Sequence, residues 1–339
     1  MPYVRAVMWI WMALYSVLTQ QALAADGTNN VGMLSLSTSG EYVVPVAVWY
    51  PTGAAQAEWH AGPYLIHATR DAPLTPGLYP LVIISHGSGG GEFGHADLAE
   101  ALARHGYIVA APRHLGDSHD QPQGRGTDQQ MIGRPWQAVA TLDAVLADQR
   151  LAAAIDAGRI GMAGFSAGGY TTMVMAGAKP DLSLITAYCS AHADDHELCD
   201  ASAQQKTVVT RPGWALPVDS RVRAAVAMAP FSVMFDAKGV AGVTIPLRIY
   251  KASNDQVLRN RWNTDHLLSL LPASVERGEL PGGHYVFLGP CSDALKAAVP
   301  AICIDAPGAD GAAIDRVAVH TKLNAEIVDF FNRTLPAAR

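Results

Sequence analysis

Arg159-Ile160-Gly161-Met162-Ala163-Gly164-Phe165-Ser166-Ala167-Gly168-Gly169-Tyr170, with the small and apolar residues that follow it to Ala178, decides how this chain is read. Residues 160–165 have the continuous apolar character of a short buried strand, and residues 167–178 that of a helix packed against a sheet. Ser166 therefore falls on the turn between them. A serine held there adopts a strained backbone, which persists only where its neighbours carry little side chain; Gly164 and Gly168 flank it, and Ala167 and Gly169 add room. This is the pattern of a nucleophile elbow, whose following helix aims free N–H groups at any anion formed on the serine. A tight turn without chemistry is the bland alternative, and the strand and helix on either side favour the elbow.

Working back from the elbow, residues 31–37 and 42–50 read as two strands across Ser39-Gly40, the second ending in Val48-Trp49-Tyr50-Pro51. Residues 80–85 are a continuous apolar run, hence another buried strand, and lead directly into His86-Gly87-Ser88-Gly89-Gly90-Gly91. Without side chains in the way, such a loop can bring its N–H groups close to a ligand. The N–H of Ser88 and that of Ala167 are the two expected halves of an oxyanion hole. A phosphate loop is excluded because the Lys-Ser/Thr ending of that motif is missing. Residues 93–105 predict a helix ending at Gly106, and 107–111 a strand closed by Pro112-Arg113-His114. Residues 115–130 are expected as a surface loop, with His114 a solvated histidine at its start. Trp136, Val139, Leu142 and Leu146 mark a helix face. Strand and helix alternate, which implies a parallel sheet.

Beyond the elbow helix, residues 180–220 are too long and polar for a simple connection. They carry Cys189, Cys199 and the run His192-Ala193-Asp194-Asp195-His196-Glu197, read as a charged surface segment rather than a metal site. The segment is expected to form a disulfide-pinned lid. Strands are predicted at 222–228, 245–250 and 275–280, and helices at 262–271 and 315–331, the last packing Val317, Val319, Leu323, Ile327 and Phe330.

A serine hydroxyl needs a base, and the base an orienting acid. In the order serine, acid, histidine, the candidate bases are His192, His196, His266 and His284. His266 sits within a predicted helix, and the first two precede any acid-bearing strand. His284 follows the last strand on the turn Pro281-Gly282-Gly283, so it is the base. Asp255, directly after the preceding strand, is the acid, with Asp236 the runner-up.

Taken together, Trp49-Tyr50-Pro51, Ser85-His86-Gly87-Ser88-Gly89-Gly90, Gly164-Phe165-Ser166-Ala167-Gly168-Gly169, Asp255 and Gly283-His284 resemble the predicted dienelactone hydrolase branch of the α/β-hydrolase superfamily. That branch is similar to bacterial relatives of the platelet-activating-factor acetylhydrolases. The resemblance implies an α/β-hydrolase fold, with a mostly parallel central sheet and helices on both faces; the cap-like insertion after the nucleophile helix is read from residues 180–220 themselves, to which the resemblance offers no counterpart. The resemblance also implies hydrolysis of a small-molecule carboxylic ester through an acyl-enzyme, with no metal or organic cofactor. Dienelactone hydrolases proper use cysteine where Ser166 stands, so their lactone substrate is not carried over. An amidase or peptidase on the same three residues, and a binding protein that has kept the fold without the chemistry, are the competing readings.

Composition sets outer bounds. The 339 residues are 50% hydrophobic and 16% charged, enough to bury one large core, and a net charge of −6 with a pI near 6.0 gives no support for nucleic-acid binding. Arg5, the apolar run 6–18 and Ala22-Leu23-Ala24 predict a signal peptide over residues 1–24, cut after Ala24 or Ala25, with the hydrolase domain over 25–339. The run is too short to span a bilayer, so no stable membrane anchor is expected and the location is periplasmic or secreted. Losing Arg5 leaves −6 − 1 = −7. In an oxidising compartment the four cysteines most simply pair locally, Cys189 with Cys199 and Cys291 with Cys303, although three pairings are open.

Overall fold

Continuous apolar runs build the centre of the molecule. A computed structural model describes residues 29–199, 209–305, 307, 311 and 313–337, and the expected signal segment lies outside them. The strands are β1 (Asn30–Ser37), β2 (Pro45–Thr52), the short β3 (Trp59–Ala61), β4 (Tyr64–Ile66) and β5 (Thr69–Arg70), then β6 (Tyr79–Ser85), β7 (Ile108–Pro112), β8 (Ile155–Phe165), β9 (Val222–Met228), β10 (Leu247–Ala252) and β11 (Glu276–Leu280). Helices follow as α1 (Ala96–Arg104), α2 (Arg134–Ala147), α3 (Ala167–Met175), α4 (Ser183–Ala191), α5 (His196–Cys199), α6 (Ala237–Val240), α7 (Thr264–Leu270), α8 (Asp293–Ala298) and α9 (Arg316–Thr334).

Nine of the described strands form one sheet in the order β11-β10-β9-β8-β6-β7-β2-β1-β5. From β11 to β7 every pairing is parallel, whereas β2 runs antiparallel to both β7 and β1. Val82 and Ile84 of β6 face one side with Leu98 and Leu102 of α1 and Ile327 and Phe331 of α9. Leu81 and Ile83 face the other, against Ala138, Leu142 and Val145 of α2. Both faces are covered, which is why β6 reads as an uninterrupted apolar run. This is the expected α/β-hydrolase architecture.

Register places the chemistry. Ser85 pairs with Gly164 and Phe165 with Met228, while Ala252 pairs with Leu280. The carboxyl ends of β6, β8, β10 and β11 therefore lie along one rim, where ligands bind in open parallel sheets.

Three local expectations are corrected. Trp136, Val139 and Leu146 are only partly buried, and the core stripe of α2 is Ala138, Leu142 and Val145, because small residues let the helix approach the sheet. Val317 is 61% exposed; α9 starts at Arg316, where Asp315 caps it by accepting from the Ala318 N–H at 3.1 Å, and the helix reaches the core through Leu323, Ile327, Phe330 and Phe331. The loop 115–130 is not simply a surface loop, for Asp117, Ser118 and Asp128 are buried in it.

Both local disulfides are present, Cys189–Cys199 and Cys291–Cys303. The first ties α4 to α5 after the elbow helix, so an insertion stands where a cap was expected; its residues 200–208 lie outside the described ones. Among the described residues no helix is long and apolar enough to cross a membrane.

Candidate active site

Ser166 joins β8 to α3 with φ 56° and ψ −116°, a backbone that non-glycine residues rarely hold. It is clamped from both sides. Its N–H donates to Met228 O at 2.9 Å, and its carbonyl accepts from Tyr170 N–H at 3.0 Å and Phe231 N–H at 3.1 Å. The flanking glycines are required by approach rather than by their own dihedrals: a Cβ on Gly164 would overlap the Gly168 carbonyl, and one on Gly168 the Ser85 carbonyl. Strand, turn and helix close so tightly that only hydrogen atoms fit between them.

His284 opens a single helical turn, His284–Phe287, directly after β11. Its Nε2 lies 2.9 Å from Ser166 Oγ and its Nδ1 2.7 Å from Asp255 Oδ2. Asp255 and His284 are each 4% exposed, so the bond between them is shielded from water. The other carboxylate oxygen, Asp255 Oδ1, accepts from Val257 N–H at 3.0 Å and Leu258 N–H at 2.7 Å. One oxygen thus shapes the turn while the other faces the imidazole. The Phe165 ring packs on that imidazole with centroids 4.7 Å apart, which restricts its rotation.

The other candidates are placed elsewhere. Asp236 caps α6, accepting from Gly239 N–H at 2.6 Å. His266 on α7 faces Phe235 O at 3.2 Å, and His192 packs on Trp262 with ring centroids 4.4 Å apart. Among the described residues no three His, Cys, Asp or Glu side chains converge as a metal site. The run 192–197 is more than a charged surface, because Asp195 is buried and accepts from the Tyr188 hydroxyl at 2.5 Å.

Below the loop 86–91 lies a buried network. The expected solvated histidine, His114, is fully buried: its Nε2 meets Ser85 Oγ at 2.9 Å, and its Nδ1 meets Gln137 Oε1 at 3.1 Å. Its backbone N–H donates to His86 Nε2 at 3.0 Å. Burial, with the Arg134 cation adding to it, holds both imidazoles well below their usual range, so they are neutral. Arg134 and Asp117, both with fully buried side chains, pair at 2.6 Å. Arg134 also donates to the carbonyl of His86, while Asp117 accepts from Gln130 Nε2 at 2.8 Å and the Ser88 hydroxyl at 2.5 Å. The Asp117 carbonyl accepts the Gly89 N–H at 3.1 Å. The glycine loop is therefore held from beneath by an ion pair that local sequence patterns do not announce.

These groups open onto a cleft of about 250 Å³ lined by Ser88, Ser166, Ala167 and His284, with Met131, Phe231 and Leu258 as apolar wall. Ile185, Glu197 and Leu198 close one side from the disulfide-pinned α4–α5 segment, and Arg125 stands at the other. Burial, then Glu197 and Asp255, raise the Tyr285 hydroxyl above its ordinary range, so it stays protonated. A larger groove of about 730 Å³, lined by Trp59, Arg70 and Arg113, holds none of Ser166, Asp255 and His284.

Residues 56–190 match the sequence profile of the family described as Chlorophyllase. No curated protein sequence matches the chain. Among solved structures, the ferulic acid esterase from Streptomyces cinnamoneus superposes with a TM-score of 0.58 at 17% identity, over 93% of each chain. That likeness establishes the shared fold, and the profile match covers the loop 86–91, Ser166 and all but the last residue of α4.

Proposed function

We propose that this chain, an α/β-hydrolase by its fold, is a serine hydrolase of carboxylic esters that works through an acyl-enzyme. The observation that carries the reading is His284 bridging Ser166 and Asp255 at 2.9 and 2.7 Å on the carboxyl rim of the sheet. Ser166 Oγ attacks the ester carbonyl carbon as His284 Nε2 takes its proton. Asp255 Oδ2 holds the Nδ1–H tautomer and stabilises the imidazolium. The negative oxygen of the tetrahedral intermediate sits between the N–H groups of Ser88 and Ala167, which line the same cleft. Collapse expels the alcohol, protonated by His284, and a water then repeats the sequence on the acyl-serine. The profile match to chlorophyllases and the fold shared with a ferulic acid esterase support an ester as the bond broken. Turnover of short p-nitrophenyl esters by the purified protein tests this, and complete inertness towards an ester library would refute it.

The α4–α5 segment acts in this reading as a lid that shapes the acyl pocket, because Ile185, Glu197 and Leu198 reach the cleft. Replacing Cys189 and Cys199 together by serine is expected to change the ranking of kcat/KM across acyl-chain lengths. The same change at Cys291 and Cys303, whose loop contributes nothing to the cleft, leaves the ranking intact. An unaltered profile in the first variant would sink the lid.

Export is part of the proposal, supported by the signal-like residues 1–24 and by two disulfides. N-terminal sequencing of the exported protein is expected to read from Ala25 or Asp26. An N-terminus that still carries residues 1–24 would contradict it.

A further inference from the structure

The turn that carries His284 is gripped from its far side by a second histidine. His320 of α9 is 4% exposed; its Nε2 lies 2.8 Å from Val286 O, two residues beyond His284, and its Nδ1 lies 2.6 Å from Asp97 Oδ2 at the first turn of α1. Asn324, one turn further along α9, donates to the same Asp97 oxygen at 2.9 Å. Both partners of the His320 ring are acceptors, a carbonyl and a carboxylate, and a neutral imidazole has only one N–H to give. Two short contacts to acceptors therefore require the doubly protonated ring.

We infer that His320 is a positioning residue for the reaction: as an imidazolium it holds the Val286 carbonyl and so fixes the turn from which His284 reaches Ser166. This rests on the reading of Ser166 and His284 given above. When His320 loses a proton, the remaining N–H stays with the charged Asp97, the better acceptor, and Val286 O is released. The hold on His284 then loosens, and kcat falls while substrate binding in the cleft is little affected.

The surroundings agree with the geometry. Burial alone would lower the His320 pKa, but the charge and hydrogen bond of Asp97 and the Val286 carbonyl outweigh it and raise the pKa above its ordinary value. Asp97 is pushed up by burial and down more strongly by His320 and Asn324, to about 2, so it is ionised. The other ionisable groups about this cluster are His95, Glu100 and Arg316. Burial lowers His95 to about 4, leaving it neutral, and raises Glu100 to about 7. Arg316, which opposes protonation of His320, is itself paired with Asp305 at 2.7 Å. The sign follows: the bond is intact below the raised pKa of His320 and is lost as pH rises through it.

The experiment is the pH profile of kcat and KM for ester hydrolysis by the full-length protein and its variants. The wild type is expected to show an alkaline limb in kcat but not in KM. Asp97→Asn removes the charge that raises His320 and moves that limb down by about 1–3 pH units. His320→Ala lowers kcat roughly 10–100-fold at neutral pH with KM nearly unchanged. His320→Gln keeps an N–H for Val286 O at every pH, so it restores most of kcat and abolishes the limb. Glu100→Gln leaves the limb where it is. A wild-type kcat that stays flat to alkaline pH while the fold is intact overturns the inference. So does a limb that Asp97→Asn leaves unmoved, or one that disappears with Glu100→Gln. Each variant is also labelled with a fluorophosphonate at Ser166. If Ser166 takes no label in the wild type, the triad reading fails; if it labels but kcat follows none of these shifts, only the role of His320 fails.

Discussion

Replacing Ser166 by alanine is expected to lower kcat/KM for ester hydrolysis by roughly 10⁵–10⁶-fold, the scale seen when the nucleophile of a triad is removed. The other serine lining the cleft, Ser88, does not replace it, because its hydroxyl is bound to Asp117 rather than to the His284 imidazole. Stability should hardly change. Ser166 Oγ makes one side-chain hydrogen bond, to His284, and the strained φ of 56° is retained whichever small residue stands there. Alanine preserves the backbone clamps to Met228, Tyr170 and Phe231, so the thermal midpoint reports an intact elbow while activity is lost. Substantial residual turnover in a folded variant would mean that another group attacks the ester.

The largest effect on stability is expected beneath the glycine loop. Arg134→Met keeps much of the side-chain volume but removes the cation, leaving the Asp117 carboxylate fully buried with Gln130 and Ser88 as its close partners. Arg125 stands further off, at 3.4 Å, and is 42% exposed, so it compensates little. Breaking a buried pair from one side costs about 3–5 kcal/mol, because an uncompensated charge remains. Changing Asp117 to Asn in the same chain relieves that charge, and the double variant is expected to recover part of the loss. Urea unfolding of the single and double variants measures this directly. Activity should fall as well, since Arg134 holds the His86 carbonyl and Asp117 the Ser88 hydroxyl. A single variant as stable as the wild type would show that the pair holds nothing.

What could be read from residue order was whatever a short window of sequence encodes. Gly164, Ser166 and Gly168 lie within five residues between an apolar strand and a helix, so their turn is legible. Asp255 and His284 each directly follow a strand; chain order sets aside His192 and His196, which precede any acid-bearing strand, whereas His266 is set aside by its place within a predicted helix and Asp236 by lying further past its strand. The two disulfides close loops of 10 and 12 residues, short enough for spacing to suggest them. The misreadings concern partners that are distant in sequence. His114 has the look of a loop histidine, and its burial is decided by Ser85, 29 residues before it, and Gln137, 23 residues after it. Arg134 begins a helix, where a charged residue is usually solvated, yet it is sunk beneath a loop 48 residues away. Asp97 and His320 are separated by 223 residues and meet only because α1 and α9 cover the same face of the sheet. Periodicity reports which face of an element is apolar, and it is silent on which polar residue of another element that face will meet.

The central claim is that Ser166 is made nucleophilic by His284, and one measurement addresses it most directly. The purified protein is treated with a fluorophosphonate, and its intact mass and digested peptides are compared with those of His284→Ala. The account predicts one adduct per chain, located on Ser166, with labelling slowed by orders of magnitude in the variant. A wild-type protein that takes no label, or takes it on a residue other than Ser166, would contradict it.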